Sequence, residues 1–533
     1  MNPLYSWIAV IVYSLLMVYI GYVIMKRPGK AQSADSKTGF EFWIAQRNLP
    51  GYRIGFSIAA GWLMLGWIGF GMSQIYMYGA AGMWLLPIPW FILCFIIVAM
   101  VPLVRRIPAV SLPQAIEQRF GISARALIAI LSFGVFIAWT QAELFMAGTL
   151  MAPFLGVDTW VAMLVFVIPV ILYSAMGGYR AIVTTDFVQM LLMMPFMIAL
   201  TAVAIYLASE KSGGDIIGAV SKAVPPWSGE GQVFNLGFLG WVIFPLVLLI
   251  GYLPGWMIEQ DLIIRLQSAK STSEARKGAW IGFGLITVFI IILPVIIAFC
   301  ALVVFPPVNG APPEAIGSNA YSIISAFIAQ LPVLGAVLML VGIVACQMST
   351  VDTFTNVSAL ALSYDFVEPV VCKRKLTEKS KLALARIVTA VTIVVGFLCA
   401  VISNTLGDVY YISSGVLSAS IAVPVFFIFW KRTTLPAVIA ASVAGTIATI
   451  AMYFYEYKYL STDANAAHYY CNVLPSWLQG LYGYNYIAIG VLLSAIVIVV
   501  VSLITKKPTQ LQLDAVKAAP VDDQADFRKE AGV

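Results

Sequence analysis

Apolar runs long enough to cross a bilayer recur along the chain, separated by short polar turns. A hydrocarbon core of about 30 Å needs about 20 apolar residues per helix. On that criterion segments fall near 4–25, 53–78, 81–104, 124–153, 157–176, 183–208, 234–256, 279–306, 321–364, 380–403, 408–430, 434–455 and 484–505. The pattern predicts an all-α polytopic membrane protein with about 13 transmembrane helices. Lys26, Lys30, Arg105, Arg106, Arg180, Arg265, Lys270, Arg276, Lys373, Arg374, Lys375, Lys431, Arg432, Lys506 and Lys507 all fall on one side of this layout. Basic loops stay cytoplasmic, so the N-terminus is expected outside and the C-terminus inside the cell membrane. The long loops near 209–232, 307–320 and 456–483 are then external, and the polar tail 508–533 reads as a disordered cytoplasmic end.

Composition agrees. Of 533 residues 61% are hydrophobic and 11% charged, with mean hydropathy +0.93, against about half and a quarter in soluble domains. The net charge of +6 comes from loop residues that set orientation, so no nucleic-acid partner is expected. The surrounding partner is membrane lipid. Six scattered cysteines show neither zinc spacing nor a disulfide framework. The single histidine, His468, lies in a polar loop, which nearly excludes metal-hydrolase and Ser-His-Asp chemistry, so the chain is not expected to be an enzyme. The first apolar segment lacks a basic leader and a cleavage site and is too long for a signal peptide.

Four stretches carry candidate chemistry. "RIGFSIAAGWLMLGWIGFGMSQIYMYG" places Gly61, Gly66, Gly69 and Gly71 within one span, which means either close helix packing or a discontinuous helix whose freed carbonyls bind a cation. "YSAMGGYRAIVTTDFVQ" ends one helix at Gly177-Gly178 and opens the next with Asp186, a position a helix dipole favours on its own. In "GYLPGWMIEQDLIIRLQSAKSTSEARKG" the charges Glu259, Asp261, Arg265 and Lys270 read as interfacial pairing without a transport role. "VACQMSTVDTFTNVS" sets Ser349, Thr350, Asp352 and Thr353 at membrane depth with no basic residue in the same segment. A lone carboxylate there costs several kcal/mol, roughly, unless it is protonated or coordinates a cation, and hydroxyl and carboxylate oxygens suit a small hard ion such as Na⁺.

Together these residues resemble the sodium:solute symporter family over nearly the whole chain, in "GGYRAIVTTDFVQ", the "RLQSAKSTSEARKG" loop, the "MST" of the ninth span and "FWKRTT" after the eleventh. The resemblance implies a LeuT-like fold of two inverted five-helix repeats with a broken first-repeat helix. The expected division is a first helix and loop at 1–50, the first repeat at 51–208, an external loop at 209–232, the second repeat at 233–432, two further helices at 433–507 and the tail at 508–533. It also implies one sodium site from the Ala60, Leu63 and Cys346 carbonyls with the Ser349 and Thr350 hydroxyls, and a second from Asp186, Ser349, Asp352 and Thr353. The closest motifs are those of the choline-transporter-like branch, with Asp after "MST-x", Trp62 and Trp67 in the first repeat helix, and Pro254 and Trp256 ending the seventh span.

For the solute, Trp62, Trp67, Trp90, Phe91, Trp139 and Trp256 offer an aromatic lining that suits an organic cation. High tryptophan content also builds interfacial belts. Glu143, in "AWTQAELF", is a further acid at membrane depth. The expectation is Na⁺-coupled symport of a small organic solute, a choline-like amine first and a proline- or betaine-like zwitterion second, with sugars and carboxylates behind. No basic residue reads as lying at mid-membrane to hold an anion. A channel is the rival class, but two different half-sites in one chain suit alternating access better. The chain is expected to work as a monomer or homodimer.

Overall fold

The structure, a computed structural model, describes residues 3–26, 39–402, 407–455 and 485–531. His468, Cys471 and the loop near 456–483 lie outside the described residues. The helices relevant here are α1 (Pro3–Lys26), α2 (Gly51–Trp62), α3 (Leu65–Tyr78), α4 (Pro87–Val104), α5 (Leu112–Phe120), α6 (Ile122–Leu155), α7 (Thr159–Ser212), α8 (Ile243–Met257), α9 (Gln260–Ser268), α10 (Thr272–Val304), α11 (Val333–Val371), α12 (Glu378–Ile402), α13 (Asp408–Phe429), α14 (Leu435–Tyr455) and α15 (Tyr486–Ile504). The only β pairing among the described residues is two isolated bridges.

Ten of the described helices are long and apolar enough to span a membrane, or eleven if the bent pair α8–α9 is one span. The expected count of 13 differs for two reasons. Leu65–Val104 counts by length as one stretch of 40 residues, yet Gly79 (φ 65, ψ −144) and Leu86 (φ −145, ψ −63) interrupt it and the chain doubles back to bring Trp90 within 5.3 Å of Trp62, so α3 and α4 remain separate helices. Thr159–Ala175 falls short of a full span before α7 kinks at Gly178. Gly178 has φ 58, open to glycine without strain, and a Cβ there would lie 2.7 Å from the Phe42 ring.

The helix breaks position the site. Between α2 and α3, Leu63 (φ −78, ψ 58) and Met64 (φ −76, ψ 103) leave helical geometry with no proline involved. Between α8 and α9 the axis turns by 43° at Ile258 and Glu259. These are the leading helices of the two expected repeats. The helix α2 packs closely on α10, and a Cβ on Gly55 would sit 2.6 Å from Ile281 Cβ and 2.7 Å from the Gly278 carbonyl, so small residues let the backbones meet.

The centre of the bundle is α11, covered by α1, α6, α7 and α12. From Gly342 to Leu360 every residue is buried, so Gln347, Ser349, Thr350, Asp352 and Thr353 face protein and not lipid. At the end where the basic loops gather, the tail is docked, contrary to the disorder read from its composition. Asp522 accepts from Arg105 at 2.7 Å and from the Thr272 hydroxyl at 2.7 Å, Arg47 donates to the Val521 carbonyl at 2.8 Å, and the Phe527 ring is buried beneath the Arg47 guanidinium. One aromatic residue and one carboxylate thus tether a segment whose mean composition is polar.

Candidate functional site

The kink at Gly178 directs the second half of α7 into the bundle and brings Asp186 to α11. Its Oδ1 accepts the Ser349 hydroxyl at 2.6 Å, and its Oδ2 accepts the Ser57 hydroxyl of α2 at 2.5 Å. The bend before α9 turns Arg265 inward to the same place. Its Nη2 lies 3.3 Å from Asp186 Oδ2 and donates to Thr353 Oγ1 at 2.9 Å, its Nε donates to Ser57 Oγ at 2.9 Å, and its Nη1 donates to Asp261 Oδ2 at 3.0 Å. Asp261 Oδ2 also accepts the Trp62 indole N–H at 2.9 Å. Asp186, Asp261, Arg265, Ser349 and Thr353 are all buried.

This corrects the interfacial reading of Glu259, Asp261 and Arg265, all of which are buried. The helix α9 has no solvent face, since every residue from Gln260 to Ser268 is buried. The sequence carried no signal of this, because Gln260, Asp261, Arg265, Gln267 and Ser268 share one side of the helix as the polar stripe of a surface helix does. Losing one partner of such a buried pair costs about 3–5 kcal/mol, because it leaves the other charge without compensation.

Of the four positions expected at a second sodium site, the structure gathers Asp186, Ser349 and Thr353 around the Arg265 guanidinium. Asp352 faces elsewhere, its Oδ2 accepting the Tyr173 hydroxyl at 2.8 Å and its Oδ1 without a hydrogen-bond partner among the described residues. The first set lies at the helix break. Leu63 N–H returns to the Ala60 carbonyl at 3.3 Å, the Thr350 hydroxyl donates to the Cys346 carbonyl at 3.1 Å, and α2 packs on α11. The closeness of the two helices is measured at Gly61, where a Cβ would be 3.0 Å from Thr353 Oγ1 and 2.5 Å from Arg265 Nη2.

Beside the break, aromatic side chains converge from α3, α4, α8 and α13. Trp67 lies 4.7 Å from Tyr410, 5.4 Å from Tyr411 and 5.9 Å from Trp256 between ring centres, and Trp256 stacks on Tyr252 at 5.0 Å. Trp90 joins Trp62, at 5.3 Å, to Trp256, at 6.2 Å. Glu143, fully buried, borders this cluster. It accepts the Gly66 N–H at 3.1 Å at the start of α3, the Tyr410 hydroxyl, and the Gln347 amide at 2.8 Å once that amide is turned to face it. Its carboxylate thus meets the positive end of the α3 dipole.

Two expected lining residues are not brought here. Phe91 is 40% exposed and packs with Phe95 and Phe283 on the outer face, and Trp139 meets Phe136 edge-on and Phe354 at a tilt on another side of α6. Tyr252, Tyr410 and Tyr411 were not singled out from sequence. The paired tyrosines in "DVYYISSG" were the visible signal. Among the described residues no group of three or more His, Cys, Asp or Glu side chains is placed to hold a metal ion, so a cation here would rest mainly on carbonyls and hydroxyls.

Residues 42–445 match the model of the sodium:solute symporter family. Sodium/proline symporter 2 of Staphylococcus saprophyticus subsp. saprophyticus is 23% identical over 535 residues, spanning 96% of this chain and 96% of that protein. The sodium/proline symporter of Staphylococcus aureus (strain USA300) is 23% identical over 527 residues, spanning 94% and 93%. Among solved structures, a Na⁺-coupled sialic acid symporter in a substrate-bound outward-open state superposes with TM-score 0.70 at 18% identity, over 95% of this chain and 99% of that one. A nucleobase-cation-symport-1 family transporter in a closed conformation gives 0.50 at 13% identity, over 89% and 98%.

Proposed function

The chain belongs to the sodium:solute symporter family, and on that premise we propose that it draws a small amine-bearing solute, first of all a proline-like amino acid, into the cell together with Na⁺. Membership makes it a multi-pass membrane transporter with Na⁺ as coupling ion. The observation that carries the reading of the site is that the helix breaking at Leu63–Met64 packs on α11, with Gly61 close against Thr353, one turn from Ser349 and Thr350. The carbonyls of Ala60, Leu63 and Cys346 and the hydroxyls of Ser349 and Thr350 supply hard oxygen donors from two helices that belong to different repeats. A Na⁺ bound there ties α2 to α11, which fixes the orientation of α3 and with it Trp67 at the solute cluster. Release of the ion on the low-sodium side lets the two helices part. Each charge moved gains about 2.3 kcal/mol per 100 mV of membrane potential.

The solute reading rests on the cluster of Trp67, Trp256, Tyr252 and Tyr410 with Glu143 at its edge, and on the two sodium/proline symporters among the relatives. Aromatic faces hold an ammonium by cation–π attraction, and the carboxylate adds charge complementarity. The same cluster favours a second reading, a choline-like quaternary ammonium, which needs no partner for a solute carboxylate. The basic loops put the N-terminus outside and the C-terminus inside the cell membrane, and the unit is a monomer or homodimer. The test is uptake of labelled proline, betaine and choline by proteoliposomes with an inward Na⁺ gradient. Proline uptake that needs Na⁺ supports the first reading, choline uptake alone supports the second, and equal uptake with K⁺ in place of Na⁺ overturns both.

A further inference from the structure

The Arg265 guanidinium has a built seat. All five of its N–H groups have acceptors in reach: Ser57 Oγ, the carbonyl and Oδ2 of Asp261, Asp186 Oδ2 and Thr353 Oγ1. The acceptors come from α2, α7, α9 and α11. Space for it exists because residue 61 is glycine, since a Cβ there would fall 2.5 Å from Nη2. Two of the oxygens so engaged, Asp186 Oδ2 and Thr353 Oγ1, belong to the positions where a second sodium was expected. Asp186 Oδ1 is taken by Ser349, and Asp352 is turned to Tyr173.

Resting on the sodium-symport reading above, we infer that Arg265 is a tethered cation that occupies the second sodium position, so that this chain carries one Na⁺ per solute. Removing the guanidinium opens Asp186 Oδ2 and Thr353 Oγ1 to a second ion.

The direct experiment is equilibrium binding of ²²Na⁺ to the purified chain, paired with the limiting accumulation ratio in proteoliposomes clamped at zero potential. With a tenfold Na⁺ gradient, wild type is expected to bind one Na⁺ and to stop at about tenfold accumulation of solute, whereas two-ion coupling would reach about a hundredfold. Folded Arg265→Gln is expected to bind two. Two ions bound by wild type, or one by folded Arg265→Gln, would each overturn the inference. The wild-type count needs no variant to fold. A wild type that binds no Na⁺ at all instead overturns the sodium-symport reading beneath it.

Discussion

Replacing Gly61 by alanine tests the seat of Arg265 without substituting any of its partners. The added Cβ would lie 2.5 Å from Nη2, 3.2 Å from Cζ and 3.0 Å from Thr353 Oγ1. Ordinary carbon contacts begin near 3.5 Å, so the guanidinium must retreat by about 1 Å. The Asp186 contact is already at 3.3 Å and the Thr353 bond at 2.9 Å, so such a retreat breaks the first and stretches the second beyond useful geometry. Hydrogen bonds to charged groups are worth about 1.5–3 kcal/mol each, which puts the loss at about 3 kcal/mol, with Asp186 left short of its cation. The assay is thermal unfolding in detergent, followed by fluorescence-detected size exclusion, with Gly284→Ala as control. Nothing lies within 4 Å of a Cβ at Gly284, and alanine there gains helix propensity of up to about 1 kcal/mol. Gly61→Ala should melt several degrees below wild type and Gly284→Ala at or above it. Equal melting of Gly61→Ala and wild type would refute the seat.

Ser349→Ala and Thr350→Ala should each raise the Na⁺ concentration for half-maximal uptake several-fold, while an unchanged Na⁺ dependence would remove these hydroxyls from the first site. Trp67→Ala should raise the solute concentration for half-maximal uptake and Phe91→Ala should leave it alone, because only Trp67 stands in the aromatic cluster; equal effects would dissolve that distinction. At the docked tail, burial works against the Asp522 charge, but the Arg105 and Thr272 hydrogen bonds outweigh it and hold the carboxyl below its usual range. A depressed carboxylate contributes its stabilisation above the ordinary value of about 3.9 and loses it as pH falls through the lower folded value. The tail should therefore resist trypsin at Lys517 and Arg528 at neutral pH in wild type and be cut in Asp522→Ala, with equal cleavage counting against docking.

Much of the fold was legible because bilayer spans obey one length rule. The apolar runs located every long helix, and the glycines from Gly61 to Gly71 marked the helix that breaks. The boundary expected between 78 and 81 falls where α3 ends at Tyr78 and Gly79 takes φ 65. Arg265 was missed for a physical reason. Its stretch has the charges of an interfacial helix, and only the 43° turn at Ile258–Glu259 aims them inward. Asp352 stood out in sequence as the costly carboxylate, yet the residue that meets the buried cation is Asp186, brought there by the Gly178 kink. Phe91 and Trp139 show the limit of composition for a solute cage, because both are aromatic and at depth but lie on other faces of their helices. Phe527 likewise anchors a tail whose average composition reads as unstructured.

The central claim is that the break at Leu63–Met64 and the Ser349–Thr350 turn form a sodium site that drives solute entry. The measurement that meets it most directly is initial-rate uptake of labelled proline by proteoliposomes under an inward Na⁺ gradient, for wild type and Ser349→Ala side by side. The account predicts concentrative uptake in wild type that vanishes when K⁺ replaces Na⁺, and a several-fold weaker apparent Na⁺ affinity in the variant. Wild-type uptake of equal rate in Na⁺ and K⁺ would contradict it.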